Sequence, residues 1–125
     1  MLDEQIRRAL ASDRTIDITT IGRRSAEPRR IEIWFYRYDG RVFLSGSPGT
    51  RDWYANLLAN PELTFHLKGS VQADLPARAR PITDEAERRE VIAGILEELS
   101  RGYGRLEDWV AGSPLAEVQF VEKPG

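Results

Sequence analysis

Short stretches in which apolar and polar residues alternate run through most of this chain. Alternation in segments rich in β-branched and aromatic residues predicts half-buried strands. In the second stretch Ile31, Ile33 and Phe35 share one face of the predicted strand. The dipeptide Asp39-Gly40 that follows predicts a hairpin turn. Six stretches are predicted to be strands: residues 15–20, 29–38, 41–47, 62–69, 70–82 and 115–122.

Four other segments are predicted to be helical. Apolar residues recur at helical spacing near the N-terminus and again after Thr83 or Asp84, where the longest helix is expected to begin. A short helix is expected to start at Asp52, whose side chain can cap it, and to end at Asn60, because the proline that follows disfavours helical backbone. The fourth segment, residues 105–112, predicts one further turn of helix.

The order helix, three strands, helix, two strands, helix, helical turn, strand indicates the fold class. Short antiparallel strands with few helices favour an α+β domain, a small barrel with helices across its ends. A chain of 125 residues is the usual size of one domain, so residues 1–125 are predicted to form a single domain.

Composition removes several classes of protein from consideration. The chain has no cysteine and one histidine, which excludes disulfides, thiolate metal sites and multi-histidine metal sites. No apolar run approaches the ~20 residues of a membrane-spanning helix, and the first residues do not form a secretory leader. We therefore expect a cytoplasmic protein without an integral membrane segment or a metal.

Charge is distributed unevenly along the chain. Residues 1–51 hold ten arginines and seven acidic residues, whereas residues 82–125 hold five basic and ten acidic residues. Positive charge is densest in residues 22–30, GRRSAEPRR. This segment predicts an anion-binding site, with a solvated turn as the alternative. Nucleic acid is not an expected partner, because the basic segment is local and no stacking motif accompanies it.

No catalytic motif is present that would let protein side chains carry covalent chemistry. His66 lies within a predicted strand and is expected to be structural or solvent-facing. If the protein is an enzyme, a bound cofactor is expected to carry the reaction. Three segments could build its site: the arginine turn, the small residues Ser45–Gly49, and the helix that begins with Trp53 and Tyr54. Together they would suit a planar ring with an anionic tail.

The segments TTIGRRSAEPRR, YDGRVFLSGSPG and DWYANLLANPELTFHLKG resemble, in this order, the motifs of the deazaflavin-dependent nitroreductase and quinone reductase family. The resemblance runs from about Thr19 to Gly69. It implies a split β-barrel of the type that binds flavins, and it implies the deazaflavin coenzyme F-420 as cofactor. Relatives with this fold bind flavin mononucleotide (FMN) or haem instead, so those cofactors remain alternatives.

The resemblance also implies roles for individual residues. The helix after the glycine loop would border the cofactor, while its residues Leu57 and Leu58 would help to fill the core. Catalytic roles would fall to Tyr103, as a proton donor, and to Ser47. The substrate pocket would be bordered by Tyr103, Leu106 and Trp109. The cofactor would be bound by Gly22, Arg23, Arg24, Ser25, Arg29, Trp34, Ser45, Gly46, Ser47, Trp53, Tyr54 and Asn56.

The expected function is hydride transfer from the reduced deazaflavin to a small electron-poor substrate, namely a quinone, an enone or a nitroaromatic. Two alternatives remain open at this point. One is an FMN-binding oxidoreductase on the same barrel, and the other is a non-catalytic split barrel that stores or delivers a flavin or haem. A homodimer is possible, because open barrels often pair across an exposed face.

Overall fold

Antiparallel strands dominate the computed structural model, which describes residues 3–99 and 104–121. The strands close into a barrel with the neighbour order β1-β2-β3-β6-β5-β4. Their bounds are β1 (Thr15–Ile21), β2 (Pro28–Tyr38), β3 (Arg41–Ser45), β4 (Glu62–Lys68), β5 (Gln72–Pro81) and β6 (Leu115–Phe120). The predicted α+β barrel is therefore confirmed, although β3 and β5 are shorter than their sequence patterns suggested.

The four described helices are α1 (Glu4–Ser12), α2 (Asp52–Ala59), α3 (Glu85–Leu99) and α4 (Leu106–Gly112). α3 begins after Asp84, whose Oδ2 accepts a hydrogen bond from the backbone N–H of Glu87 at 2.9 Å. α2 ends at Asn60, as predicted. Its predicted start is wrong by one residue: Arg51 is the N-cap and makes no side-chain capping bond, while Asp52 is the first helical residue.

Two apolar clusters form the core. One fills the barrel, where Phe65 makes edge-to-face contacts with Phe35 at 5.3 Å and with Phe120 at 5.2 Å between ring centroids. The other lies where α3 and α4 pack on the barrel, around the buried Ile92 and Trp109. Leu57 is buried, as predicted, but the expectation for Leu58 is wrong. Leu58 is 56% exposed, because it lies on the face of α2 that points away from the barrel.

The long strand β2 creates an opening at one end of the barrel. β2 pairs with β1 along residues 28–34, but it pairs with β3 only from Phe35 onward. The first half of β2 therefore has a neighbour on one side only. α2 lies over this end of the barrel and contacts β1. This arrangement leaves room for a cleft between the start of β2, the turn before it, and α2.

Candidate functional site

The arginine turn between β1 and β2 is a tight loop with defined hydrogen bonds. The backbone N–H of Gly22 donates to the carbonyl of Glu27 at 2.8 Å, and the N–H of Ala26 donates to the carbonyl of Gly22 at 2.8 Å. A Cβ atom on Gly22 would lie 2.5 Å from Ser25 Oγ and 3.3 Å from the carbonyl oxygen of Glu27, so a larger residue here would displace the Ser25 side chain. Ala26 adopts a left-handed backbone conformation with φ 60°, which is strained for a residue with a Cβ.

Asn56 of α2 fixes this turn against the helix. Its Oδ1 accepts two hydrogen bonds from Arg23, one from the backbone N–H at 3.1 Å and one from Nη1 at 2.9 Å. Its Nδ2 donates to Thr20 Oγ1 at 3.3 Å. Asn56 is only 5% exposed, so its polar atoms require these partners. The asparagine in this short helix therefore holds the Arg23 guanidinium at a fixed place before any ligand arrives.

An open cleft of about 470 Å³ lies between the turn, the start of β2 and α2. Seven of the predicted cofactor-binding residues line it: Gly22, Arg23, Arg24, Ser25, Arg29, Trp53 and Asn56. Three further lining residues were not predicted: Thr20, Ile31 and Asp52. The sequence contains a signal that could have identified two of these three residues as part of the site. Thr20 and Ile31 lie on the strands directly flanking the turn, and the alternating pattern of each strand assigns them a face.

Positive charge in the cleft exceeds what the protein itself neutralises. Arg23 Nη2 lies 3.4 Å from Asp52 Oδ1, but that carboxylate is exposed and is the only one lining the cleft among the described residues. Arg29 Nη2 donates to Ser25 Oγ at 3.4 Å. Arg24 is exposed and has no hydrogen-bond or ion-pair partner within residues 3–99 and 104–121. Three guanidinium groups beside one carboxylate can bind a ligand that carries more than one negative charge.

Trp53 is both a core residue and a wall of the cleft. It is 7% exposed, it belongs to the barrel core, and it also lines the cleft. Tyr54 packs edge-on against it, with 5.8 Å between the ring centroids. Tyr54 is half-buried against the core and does not line the cleft. Of the two aromatic residues at the start of α2, only Trp53 is therefore placed to contact a ligand there.

The Arg51 side chain lies along the exposed glycine loop that follows β3. Arg51 Nη2 donates to the carbonyl of Ser47 at 3.0 Å and to Ser47 Oγ at 3.2 Å. A Cβ on Gly46 would lie 3.2 Å from Arg51 Nη2, and one on Gly49 would lie 3.0 Å from Nη1. Ser45 is buried and donates to the carbonyl of Pro114 at 2.7 Å. The loop residues Ser45, Gly46 and Ser47 do not line the cleft. The loop leads into α2, whose first residues do line it.

Three further predicted site residues within the described ranges lie away from the cleft. Trp34 is 41% exposed and lies outside it, with the Arg14 guanidinium 5.4 Å from its ring centroid. Trp109 is 2% exposed within the helical core cluster, and Leu106 packs against that cluster. Tyr103, the predicted proton donor, lies outside the described residues. Neither Leu106 nor Trp109 therefore lines the arginine cleft.

His66 is 7% exposed and lies within a polar network on β4, so of the two expected environments it is the structural one that the structure shows. Its Nε2 is 2.7 Å from Thr19 Oγ1 and its Nδ1 is 2.7 Å from Asp74 Oδ1, and the imidazole lowers the pKa of Asp74. Beside it, Lys68 bridges Asp17 at 2.7 Å and Glu32, and the lysine lowers the pKa of Asp17. These bonds cross the seam where β1 and β4 pair through three residues only. We interpret the network as structural.

The fold and the cleft define a class: a split β-barrel of the flavin-binding type, with an arginine-lined cleft at one end. Residues 3–113 match the family described as F420H(2)-dependent quinone reductase, and the chain belongs to this family. The resemblance stated from the sequence is therefore confirmed. The family description supports coenzyme F-420, in its reduced form, as the cofactor.

Solved structures share the fold at low sequence identity. A conserved hypothetical protein from Mycobacterium tuberculosis is 17% identical, with a TM-score of 0.76 over 98% of this chain and 82% of that chain. An F420 reductase is 13% identical, with a TM-score of 0.71 over 98% of this chain and 97% of that chain. A FAD-binding protein from Mesorhizobium loti is 14% identical, with a TM-score of 0.68 over 97% of this chain and 91% of that chain.

Membrane spanning by a helix has no support in the described residues. None of the helices within residues 3–99 and 104–121 combines the length and the apolar character that crossing a bilayer requires.

Proposed function

We propose that this protein binds the reduced deazaflavin coenzyme in the arginine-lined cleft and reduces a quinone. The observation that carries the proposal is the set of guanidinium groups that the protein leaves without carboxylate partners. Arg24 and Arg29 have no ion-pair partner among the described residues, and Arg23 shares one exposed carboxylate. Membership of a quinone reductase family favours a quinone over an enone or a nitroaromatic as the acceptor.

The residues of the cleft fit a coenzyme with an anionic tail. Arg23, Arg24 and Arg29 would hold its negative charges, with Ser25 as a neutral hydrogen-bonding group between them. Because Gly22 has no Cβ, the Ser25 hydroxyl can lie close to the backbone of the turn. The turn can therefore stay tight around an anion. Trp53 would flank the adjoining part of the ligand. When bound, the reduced deazaflavin supplies a hydride from its C5 atom.

The contribution of the protein to the reaction would be positioning and electrostatics. Asn56 fixes Arg23 before binding, so less conformational entropy is lost when the anion arrives. Ser47 Oγ accepts a hydrogen bond from Arg51, which leaves its hydroxyl proton available for donation to an oxygen that gains negative charge. We propose that Tyr103 donates the proton to the reduced acceptor. Leu106 and Trp109 would border the substrate pocket beside it.

The decisive experiment measures binding of reduced or oxidised deazaflavin by fluorescence quenching in parent and variant proteins. Arg24→Ala should weaken binding about tenfold or more, because a charge-assisted contact contributes roughly 1.5–3 kcal/mol. Binding should also weaken as salt concentration rises. Arg78→Ala is the matched control, since Arg78 is an exposed arginine of β5 outside the cleft.

Equal affinity in the Arg24 and Arg78 variants would remove the arginine turn from the cofactor site. Tighter binding of FMN than of deazaflavin would favour the alternative flavin enzyme. Ser47→Ala should lower turnover with menadione, a simple quinone, while leaving deazaflavin affinity unchanged. No turnover of the parent with any quinone would favour the storage or delivery function.

A further inference from the structure

A second pocket lies at the opposite end of the barrel from the arginine turn. It has a volume of about 510 Å³ and lies between α1, the turn after β2, and the strands β3 and β6. Arg29 of the first cleft and Arg37 of the second pocket are eight residues apart along β2. At ~3.3 Å per residue, roughly 26 Å separates them. The second pocket is therefore a separate site, and its volume falls in the usual range of about 300–1,000 Å³ for small-molecule pockets.

The floor of this pocket is apolar. Val42 and Val118, which pair across β3 and β6, are 9% and 4% exposed. Leu10 of α1 and Phe120 of β6 are half-buried and line the walls. These side chains also belong to the barrel core, so the pocket is an indentation into that core beneath α1. A hydrocarbon or aromatic group placed there would remove apolar surface from water.

The charged rim divides into groups that are already bonded and groups that are not. Arg37 donates to the carbonyl oxygens of Ala11 and Asp13, where it holds the end of α1 in place. Glu117 Oε1 accepts hydrogen bonds from Arg80 Nε at 3.1 Å and Nη2 at 2.9 Å, so its charge is already compensated. Neither Arg37 nor Glu117 therefore needs a ligand.

Arg7 and Arg41 are the rim groups with free donors. Arg7 is exposed, and its guanidinium has no hydrogen-bond or ion-pair partner in the part of the chain that the structure describes. Arg41 Nη1 is 3.8 Å from Glu117 Oε1 and 3.9 Å from Glu87 Oε2, distances beyond a hydrogen bond. Its guanidinium is held 5.2 Å from the ring centroid of Phe43. The unpaired Arg7 and the loosely paired Arg41 thus border an apolar floor.

We propose that this pocket binds a small anionic amphiphile, a carboxylate carried on a hydrocarbon chain of medium length. The carboxylate pairs with Arg7 and Arg41, and the chain lies along Val42, Val118 and Leu10. Charge complementarity selects an anion, and the apolar floor selects against small hydrophilic anions such as phosphate. The proposal does not depend on the deazaflavin site.

The test is calorimetric titration of the full chain with decanoate, without deazaflavin, followed by the same titration of variants. Arg7→Ala should weaken decanoate binding about tenfold, the loss expected for one charge-assisted contact. The Arg7 side chain has no hydrogen bond or ion pair to lose within residues 3–99 and 104–121, so this variant should keep the melting temperature of the parent. Arg8→Ala is the matched control, because Arg8 is the next residue of α1 and pairs with Glu4 outside the pocket at 3.2 Å. Its affinity for decanoate should stay within about twofold of the parent.

A second pair of measurements separates the anion from the apolar chain. Decanol, which has the chain without the charge, should bind at least about tenfold more weakly than decanoate. Decanoate titration of Arg41→Lys tests the second arginine that is proposed to bind the carboxylate. This variant keeps a positive charge near Glu87 and Glu117. Equal affinity for decanol and decanoate, equal weakening by Arg7→Ala and Arg8→Ala, or no binding of decanoate at all would each overturn the proposal.

Discussion

Two arginine-rich regions of this molecule differ in what surrounds their guanidinium groups. In the turn before β2, Arg24 has no partner among the described residues and Arg29 has one weak bond to a serine hydroxyl. Beside α3, Arg80 donates to both Glu87 and Glu117, and these carboxylates raise its pKa. Arg88 donates to four backbone carbonyls, those of Ile82, Trp109, Val110 and Ser113.

The comparison shows that arginine density alone does not identify a binding site. The arginines near α3 make most of their hydrogen bonds within the fold, whereas Arg24 and Arg29 of the turn keep most of their donors free among the described residues. Neighbouring residues give a partial sequence signal of this difference. Residues 84–90 contain four acidic residues around two arginines, while residues 22–30 contain one glutamate beside four arginines.

The largest expected effect comes from Arg88→Ala. This change removes four hydrogen bonds that join α3, the end of β5 and the end of α4, and it should lower the free energy of unfolding by about 2–4 kcal/mol. Arg24→Ala should change the free energy of unfolding by less than about 0.5 kcal/mol, because Arg24 is exposed and has no partner in the described part of the chain. Denaturant unfolding of both variants measures this. A loss of stability in Arg24→Ala as large as that in Arg88→Ala would abolish the distinction between the two regions.

A smaller effect on stability is expected from the ionisation of Glu87 as the pH changes. Arg80 holds the pKa of Glu87 below its ordinary value of 4.5, so the folded state binds the proton less readily than the unfolded chain does. The stabilisation is complete above about pH 4.5 and is lost as the pH falls through the lowered pKa of the folded state. Glu87→Gln should therefore lower stability at pH 7 and reduce its dependence on pH below 4.5. Parallel stability curves for the parent and the variant between pH 3 and 7 would contradict the assignment.

Asp52→Asn is expected to change ligand affinity by a smaller factor. Asp52 competes for Arg23 at 3.4 Å, and its side chain is 92% exposed. Removing this charge should tighten deazaflavin binding by about two- to fivefold, the usual range for an exposed ion pair. Asp108→Asn, at an exposed position in the first turn of α4, is the control and should leave the affinity unchanged. Weaker binding after Asp52→Asn would mean that the carboxylate contacts the ligand itself.

The smallest effect is expected from Ala26→Gly in the arginine turn. Ala26 has φ 60°, which glycine adopts without strain. The relief exceeds the entropy that glycine adds to the unfolded chain, and we expect a stabilisation of about 0.5 kcal/mol. Ala55→Gly within α2 is the matched control and should destabilise by about 1 kcal/mol. Destabilisation of both variants would show that the turn does not need a left-handed residue.

Local patterns predicted most of the fold. Alternation, β-branched residues and the Asp39-Gly40 turn located the six described strands, and proline, glycine and aspartate placed the ends of α2 and the start of α3 within one residue. These features depend on neighbours along the chain, so the sequence contains the information. The arginine turn and Asn56 were predicted as cofactor contacts from ordered motifs, and the structure places them together in one cleft.

Tertiary contacts decided the rest, because they join residues far apart in the chain. That Asn56 holds Arg23, that Arg51 bonds to the glycine loop, and that Trp109 is buried under α3 could not be inferred from local pattern. The position of Trp34 outside the cleft could not be inferred from local pattern either, because it depends on which face of β2 points outward. The sequence by itself thus determined the barrel, its family and the charge of the site. The tertiary structure decided which charges are already paired, since a distant carboxylate or carbonyl satisfies a guanidinium only once the chain has folded.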